Sequence, residues 1–323
     1  MGNETKAVAQ ARRKMSVARF ATVIGFAFVL GAFSILSPVF LTLSNLMDVL
    51  RQVSILGIIA FGLTMPMITG RFDISLGFFV DVISVLVAGA MSKGIPAVIA
   101  VLYALAVGGV FGVVKGWLIA HIGVSDFICT LAVGGVSTGI AFMYTKGYPI
   151  VEGMPKGFLK LAEGYVGFVP LPVIILAAVF ALLYVFLYRS RYGRYLYAIG
   201  GNEEAAHLSG INTKGYILMA YTLCSVCVAL AGVIYTSRLA SGQPIGGDGF
   251  MLDAIASVFI GMTTFMLGEA NLPGTLLGVL LIGVLNNGLT LLNVEYYFQD
   301  ILKGVIIIVA VTLTAVQRRR KKH

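Results

Sequence analysis

Long apolar runs without a charged side chain recur along the whole chain. Seven of them are 17 to 25 residues long and cover residues 20–36, 52–70, 95–114, 127–145, 164–188, 215–237 and 270–294. Three shorter or interrupted runs, 74–92, 250–267 and 301–316, each contain one buried-type charge, namely Asp81, Asp253 and Lys303. A helix needs roughly 20 apolar residues to cross the hydrocarbon layer of a bilayer. The sequence therefore predicts an all-α, polytopic membrane protein with about ten transmembrane helices.

The composition excludes the main classes of soluble protein. Of the 323 residues, 59% are hydrophobic and only 11% are charged, and the mean hydropathy is +0.96. A soluble domain carries about 25% charged residues, because water must solvate its surface. A soluble enzyme, a nucleic-acid-binding protein and a disordered scaffold are therefore excluded, and lipid is expected to surround the chain. Most of the net charge of +9 flanks the apolar runs, so it does not indicate a nucleic-acid partner.

Basic residues at the ends of the runs predict the orientation. With ten spans and a cytoplasmic N-terminus, sixteen Lys and Arg residues, among them Arg71 and Lys115, are assigned to the cytoplasmic side and six to the outside. Both termini are strongly basic, so both are expected in the cytoplasm and the number of spans is expected to be even. The first apolar run follows a basic tail, residues 1–19, without a small-residue cleavage site, which is typical of an uncleaved signal anchor.

The chain contains an internal repeat at an offset of 172 residues. Gly77-Phe78-x-x-Asp81-x-Ile83 aligns with Gly249-Phe250-x-x-Asp253-x-Ile255, and the alignment carries the third predicted span onto the eighth. A separation of five spans is odd, so the two copies cross the membrane in opposite directions. The pattern predicts two inverted five-helix halves, an organisation that many transporters share.

Between the sixth and seventh spans, residues 189–214 form a polar loop that we call the coupling loop. Asn202 is a suitable N-cap, Glu203 and Glu204 favour the positive end of a helix dipole, and Gly210 can end a helix in the left-handed conformation. A short cytoplasmic helix is therefore predicted after Asn202. An isolated helix shorter than about 12 residues is marginal in water, so this one needs a packing partner. The headgroup surface and a cytoplasmic protein are both candidates.

Several motifs together resemble the ribose-type sugar permeases of ATP-binding-cassette importers. The segment YGRYLYAIGGNEEAAHLSGI at 192–211 resembles their cytoplasmic signature. Further similarities are FDISLG at 72–77, DFICTL at 126–131, LDAIASVFIG at 252–261 and IGVLNNG at 282–288. The chain departs from the family pattern in three places. Arg71 stands where a glycine is usual, and Asp126 stands where a small or apolar residue is usual. Residues 262–270 replace the Gly-rich turn that follows the eighth span in the family.

The resemblance implies a transport subunit rather than an enzyme. Such permeases work in pairs, as a homodimer or with a paralogue, together with cytoplasmic ATPase subunits and an extracellular or periplasmic sugar-binding protein. The chain has no G-x-x-x-x-G-K-[ST] motif, so ATP and Mg²⁺ are expected on the partner ATPase, and no cofactor or metal is expected in this chain. The residues expected to couple to the ATPase are Gly193, Arg194, Ala198, Gly200, Asn202, Glu203, Glu204, Ala205, Ala206, Ser209 and Gly210.

The expected arrangement is a single permease domain over residues 1–323 in a prokaryotic inner membrane. It comprises a cytoplasmic tail (1–19), a first half (20–188), the coupling loop (189–214), the remainder of the second half (215–316) and a basic cytoplasmic tail (317–323). The path for a monosaccharide or related polyol needs polar groups beside apolar walls. The candidates are Asp81, Thr130, Asn286, Asn287 and Gln299, for which hydrogen bonding between helices is the alternative role.

Two other functions remain open on the sequence alone. An ion-coupled secondary transporter would use Asp81 and Asp253 at the interface of the inverted repeat. A permease for amino acids would share the general plan of an ATP-driven importer. A passive channel explains the coupling loop no better than the ion-coupled transporter does.

Overall fold

The computed structural model describes residues 22–266 and 268–322, with only the backbone described for 313–322. The predicted N-terminal tail, 1–19, lies outside the described residues. In chain order the helices are α1 Thr22–Leu36, α2 Leu43–Ile68, α3 Leu76–Ser92, α4 Ala97–Trp117, α5 Asp126–Thr145, α6 Lys156–Glu163, α7 Leu171–Arg189, α8 Arg191–Gly201, α9 Glu203–Leu208, α10 Thr213–Leu239, α11 Asp248–Gly261, α12 Leu272–Leu291 and α13 Tyr296–Lys322.

Six of the described helices are long and apolar enough to cross a membrane. These are α2, α4 with its π-helical extension Leu118–Ile122, α5, α7, α10 and α12. Two shorter apolar helices, α1 and α3, also lie within predicted runs. The protein is thus a helical, polytopic membrane protein, as the apolar runs predict.

The sixth predicted run differs from the structure at its start. The prediction places the run at 164–188, whereas α7 begins at Leu171. The preceding residues form a small antiparallel hairpin, β1 Tyr165–Val166 and β2 Val169–Pro170. Pro170 is the N-cap of α7 and Pro172 lies in its first turn, where a missing backbone N–H costs no helical hydrogen bond. Hydrophobicity alone does not distinguish such a hairpin from the beginning of a span.

The described residues divide into two compact units, Leu50–Ala254 and a second unit formed by the segments before and after it. In the first unit, α4 packs on α10 through three glycines spaced four residues apart. A Cβ added at Gly112 would lie 2.5 Å from the Cα of Thr222, and one at Gly116 would lie 2.7 Å from the Cα of Leu218. Gly108 is equally close to Ala229. The backbones of α4 and α10 approach closely here because no side chain separates them.

In the second unit, small residues serve the same purpose between α11 and α12. A Cβ at Gly278 would lie 2.0 Å from the carbonyl oxygen of Ser257, and Gly261 and Gly274 approach each other backbone to backbone. The ring of Phe33 covers Gly288. Glycine at these positions is therefore explained by helix packing and needs no chemical role.

Candidate functional site

The coupling loop contains two helices rather than one. The predicted helix after Asn202 is present as α9, and the side-chain Oδ1 of Asn202 accepts a hydrogen bond from Ala205 N at 3.0 Å. Gly210 has a φ of +83°, which confirms the predicted left-handed end. The additional helix, α8, has Ser190 as its N-cap, and the Oγ of Ser190 accepts a hydrogen bond from Tyr192 N at 3.1 Å. Ser190 could have been identified as a cap from the sequence, but the run of tyrosines and glycines that follows does not favour a helix.

Two glycines attach α8 to the ends of the neighbouring long helices. A Cβ at Gly193 would lie 1.9 Å from the carbonyl oxygen of Leu187, and a Cβ at Gly200 would lie 1.8 Å from that of Ile68. Leu196 and Ile199 are buried on the same helix. Because the contacts at both glycines are to backbone atoms, α8 packs directly on the last turns of α2 and α7.

Most of the predicted coupling residues are exposed. Arg194, Ala198, Gly200, Asn202, Glu204, Ala205, Ser209 and Gly210 are exposed, Glu203 is half-buried, and Gly193 and Ala206 are buried. Leu208 is 81% exposed, because it lies two residues after the buried Ala206 and therefore on the opposite side of α9. An open cavity of about 480 Å³ lies beside the end of α9 and is lined by Tyr195, Ser209, Gly210, Ile211, Asn212 and Tyr216. A surface of this kind can receive a second protein.

Two residues of the coupling loop make contacts within the chain. Ile199 is 2% exposed and belongs to an apolar cluster with Ala206 and Tyr221, so it is not available for docking. The carboxylate of Glu203 accepts a hydrogen bond from Arg71 Nη2 at 2.8 Å, so this acidic residue pairs within its own chain.

Arg191 lies outside the long helices, and its hydrogen bond with Tyr192 raises the pKa of its guanidinium group, which stays cationic at physiological pH.

The intramembrane candidates divide between the two units. In the unit Leu50–Ala254, Asp81 is 4% exposed, and its Oδ1 accepts a hydrogen bond from Gly247 N at 2.8 Å. Thr130 is fully buried; its Oγ1 donates to the carbonyl oxygen of Asp126 at 2.8 Å and accepts from Ile74 N at 3.3 Å. Asp81 faces the protein interior, as predicted, and both side chains bond to backbone groups.

In the second unit, Asn287 and Asn45 form a reciprocal pair of amide hydrogen bonds at 2.8 and 3.0 Å. Asn286 is buried, and Gln299 Nε2 donates to the carbonyl oxygen of Val294 at 2.8 Å. The Asn287 pair satisfies both amides within the bilayer, where an unpaired polar group is costly. The Asn45–Asn287 pair is the helix-to-helix role that the sequence leaves as the alternative to substrate contact, whereas the bond of Gln299 is local to the start of α13.

A fully buried ion pair lies outside the set of predicted site residues. Lys115 Nζ lies 2.6 Å from Asp73 Oδ2 and 2.8 Å from Ser75 Oγ, and Lys115 and Asp73 are 1% and 0% exposed. Counting Lys115 among the flanking charges that predict orientation is therefore incorrect, because this lysine is neutralised inside the protein. Removing it leaves fifteen cytoplasmic against six external basic residues, so the predicted bias keeps its sign. Asp73 lies near a helix start, and hydropathy gives no signal of its burial.

The described residues contain no group of three or more His, Cys, Asp or Glu side chains placed to hold a metal ion. Closely packed apolar helices and buried carboxylates within them are features of a helical, polytopic membrane protein. The comparisons with known proteins specify the family.

The family model described as "Branched-chain amino acid transport system / permease component" matches residues 45–311. The chain is 43% identical over 281 residues to the ribose import permease protein of Bacillus subtilis (strain 168), covering 87% of each chain. It is 39% identical over 297 residues to the ribose import permease protein of Escherichia coli (strain K12), covering 90% of this chain and 91% of the relative. The D-allose transport system permease protein of the same strain is 34% identical over 91% of each. No solved structure matches.

The chain belongs to this family of permease components. It is therefore a multi-pass membrane transport subunit rather than an enzyme, and the resemblance drawn from the motifs is confirmed.

Proposed function

We propose that the protein is the transmembrane permease subunit of an ATP-binding-cassette importer, through which a monosaccharide or related polyol enters the cell. The exposed surface of α9, with Leu208 and the cavity beside it, carries the proposal, because it offers a cytoplasmic partner a defined place to bind. The relatives support the substrate class, since their names specify ribose and D-allose. The family description names branched-chain amino acids, but no relative named above is an amino-acid permease.

Partner subunits supply the energy and the selectivity in this proposal. Cytoplasmic ATPase subunits bind ATP and Mg²⁺ and contact α9, because this chain has no phosphate-binding motif. An external binding protein delivers the sugar, and a second permease subunit, identical or paralogous, completes the membrane part. The coupling residues on α8 and α9 divide into exposed groups that meet the ATPase and buried groups, Gly193 and Ala206, that attach the loop to the bundle.

We infer ten spans in two inverted halves of one permease domain, in a prokaryotic inner membrane. Each of the ten predicted apolar runs overlaps a described helix, including the short α11 and the long α13. Helices α3 and α11 begin at Leu76 and Asp248, which are separated by the same 172 residues as the sequence repeat. Both termini and the coupling loop, 189–214, lie in the cytoplasm.

The orientation can be tested with one exposed cysteine. The three native cysteines are buried, so Leu208→Cys adds a single accessible thiol on α9. A membrane-impermeant maleimide is expected to label this variant in inside-out vesicles and not in intact cells. Labelling in intact cells would overturn both the cytoplasmic position of the coupling loop and the proposed contact with an ATPase.

Asp81, Thr130, Asn286, Asn287 and Gln299 are the proposed polar groups of the path. The hydrogen bonds of Asp81, Thr130 and Gln299 to backbone groups, and of Asn287 to Asn45, fit a resting path in which these four side chains are paired within the protein. The external binding protein selects the substrate in this mechanism, so the path does not require a tight site of its own.

The function is tested by reconstitution of the complete complex in proteoliposomes with radiolabelled D-ribose as the probe. Uptake is expected only with ATP on the ATPase side and with the binding protein on the other. Uptake that follows an ion gradient without ATP would overturn the proposal and favour the ion-coupled alternative through Asp81 and Asp253.

A single substitution separates docking from folding. Ala205 is exposed on α9, so Ala205→Trp is expected to abolish uptake while the subunit still inserts. Ala181→Trp is the matched control, because Ala181 is also exposed but lies on α7, away from the coupling loop. Gly193→Trp is expected to stop uptake for another reason: its side chain would collide with the backbone of Leu187 and displace α8. Normal uptake by Ala205→Trp would contradict the docking surface.

A further inference from the structure

Residues 71–75 connect α2 to α3 without helical structure, and side chains from other helices hold their backbone. Phe72 N donates to Asp126 Oδ2 at 2.7 Å, and Ile74 N donates to Thr130 Oγ1 at 3.3 Å, both on α5. The hydroxyl of Tyr221 on α10 donates to the carbonyl oxygen of Phe72 at 2.7 Å. Non-helical backbone persists at membrane depth only where protein groups satisfy it, so the shape of the 71–75 segment is fixed by α5 and α10.

The buried ion pair fixes the same segment to α4. Asp73 Oδ2 receives Lys115 at 2.6 Å, and Asp73 Oδ1 receives both the N–H and the hydroxyl of Ser75, at 3.0 and 2.6 Å. Lys115 also donates to Ser75 Oγ at 2.8 Å and lies 5.8 Å from the ring centroid of Phe79. Both carboxylate oxygens of Asp73 therefore accept hydrogen bonds, which is the condition under which a buried charge pair is tolerated.

The two ends of the 71–75 segment lead to the two regions that matter for transport. At one end Arg71 pairs with Glu203 in the first turn of α9, while Gly200 packs against the carbonyl oxygen of Ile68 just before the segment. At the other end the segment continues into α3, where Asp81 receives the N–H of Gly247 at 2.8 Å. A displacement of α8 and α9 therefore reaches the start of α3 through five residues that have few other degrees of freedom.

We infer that the 71–75 segment is the mechanical connection between the coupling loop and the intramembrane helix that carries Asp81, and that Lys115 and Asp73 are positioning residues of this connection. The inference rests on the proposed function and assigns a route to its coupling. Lys115 and Asp73 touch neither the ATPase nor the sugar in this scheme. They keep the 71–75 segment stiff, so that a movement of α9 is passed on to α3 and is not absorbed by a change of shape within the segment.

The test compares transport with ATP hydrolysis in the reconstituted complete complex. The variant Asp73→Asn/Lys115→Met removes both charges without leaving one unpaired. It is expected to assemble and hydrolyse ATP, while D-ribose transported per ATP falls at least tenfold. Lys303→Met is the control, since Lys303 is another largely buried lysine within a helix, 3.6 Å from Asp300, and lies outside the unit that contains the 71–75 segment. Its transport per ATP is expected to stay within twofold of wild type. A double variant that couples as wild type does would overturn the inference.

Two measurements keep the inference testable if the double variant does not assemble. Tyr221→Phe deletes only the hydroxyl that holds Phe72, and it is expected to lower transport per ATP about threefold with hydrogen exchange elsewhere in α10 unchanged. In the wild-type complex, the amides of Phe72, Ile74 and Ser75 are expected to change their hydrogen-exchange rates at least threefold when ATP binds. Unchanged coupling in Tyr221→Phe together with unchanged exchange would refute the connection.

The failure of this inference is distinguishable from that of the proposed function. If wild type transports with ATP and Ala205→Trp abolishes uptake, the proposed function stands whatever the double variant does. If wild type transports without ATP, the proposed function itself fails.

Discussion

Alanine substitutions at two glycines three residues apart on α4 provide a matched test of how closely α4 and α10 pack. Gly112 lies against α10, and an added Cβ would be 2.5 Å from Thr222 Cα and 2.8 Å from the carbonyl oxygen of Tyr221. An added Cβ at Gly109 would meet nothing within 4 Å. The substitutions Gly112→Ala and Gly109→Ala are chemically identical and lie on the same helix, so they differ only in what the new methyl group touches.

The expected difference in stability follows from this geometry. Both variants gain helix propensity of about 0.8–1 kcal/mol, a contribution that cancels when they are compared. At Gly112 the contact atoms belong to the backbone of α10, so the helices must separate, and overpacking of this kind costs about 1–3 kcal/mol. Gly109→Ala is therefore expected to be as stable as wild type or slightly more so, and Gly112→Ala about 1–3 kcal/mol less stable than Gly109→Ala.

Steric trapping in bicelles, or thermal unfolding in a mild detergent with the two variants side by side, measures this difference. Gly112→Ala is expected to unfold first under every condition, and uptake by the Gly109→Ala complex should match wild type. Equal stability of the two variants would refute the close approach of α4 and α10 at Gly112.

Three further outcomes are expected. Asn202→Ala removes the N-cap of α9 and should cost about 0.5–2 kcal/mol of local stability, seen as faster hydrogen exchange in α9 alone. The control Asn202→Asp also caps the helix and should exchange like wild type. Equal exchange rates in wild type and both variants would contradict the cap. Leu208→Ser should leave the stability of the isolated subunit within about 0.5 kcal/mol of wild type, because Leu208 is 81% exposed. The same variant should bind the ATPase more weakly in a pull-down titration. Unchanged binding would show that Leu208 is not part of the docking surface. A double-mutant cycle of Asn45→Ala and Asn287→Ala should give a coupling energy of about 0.6 kcal/mol, the average for hydrogen bonds between membrane helices. If the two substitutions have additive effects on stability, the amide pair does not form.

The parts of the fold that depend on hydrophobicity and capping could be predicted from the sequence. The apolar runs predict the long helices because lipid allows no other exposed backbone, and Asn202 and Gly210 predict the ends of the α9 segment because their side-chain chemistry acts within a few residues. The hairpin before α7 could not be predicted in this way, since its residues are as apolar as those of a span.

The burial of single residues could be predicted from local sequence, whereas pairings between residues distant in the chain could not. Asp81 is rare enough in an apolar run to be noticed, and it is buried as expected. The pair of Asp73 with Lys115 escaped notice because 42 residues separate them, and each taken alone looks like an ordinary charge at the end of a span. Glu203 looked free for a partner for the same reason, since Arg71 lies 132 residues away in the chain.

The distance in sequence between Asp73 and Lys115 also bears on how the protein is made. Asp73 leaves the ribosome 42 residues before its cation, and an ionised carboxylate that is taken out of water without a partner is costly. During synthesis the carboxylate must therefore stay hydrated, within the translocon or at its mouth, until α4 brings the ammonium group. A nascent chain arrested between α3 and α4 should then hold α3 short of its final depth, and release of α4 should bring both charges into the protein together.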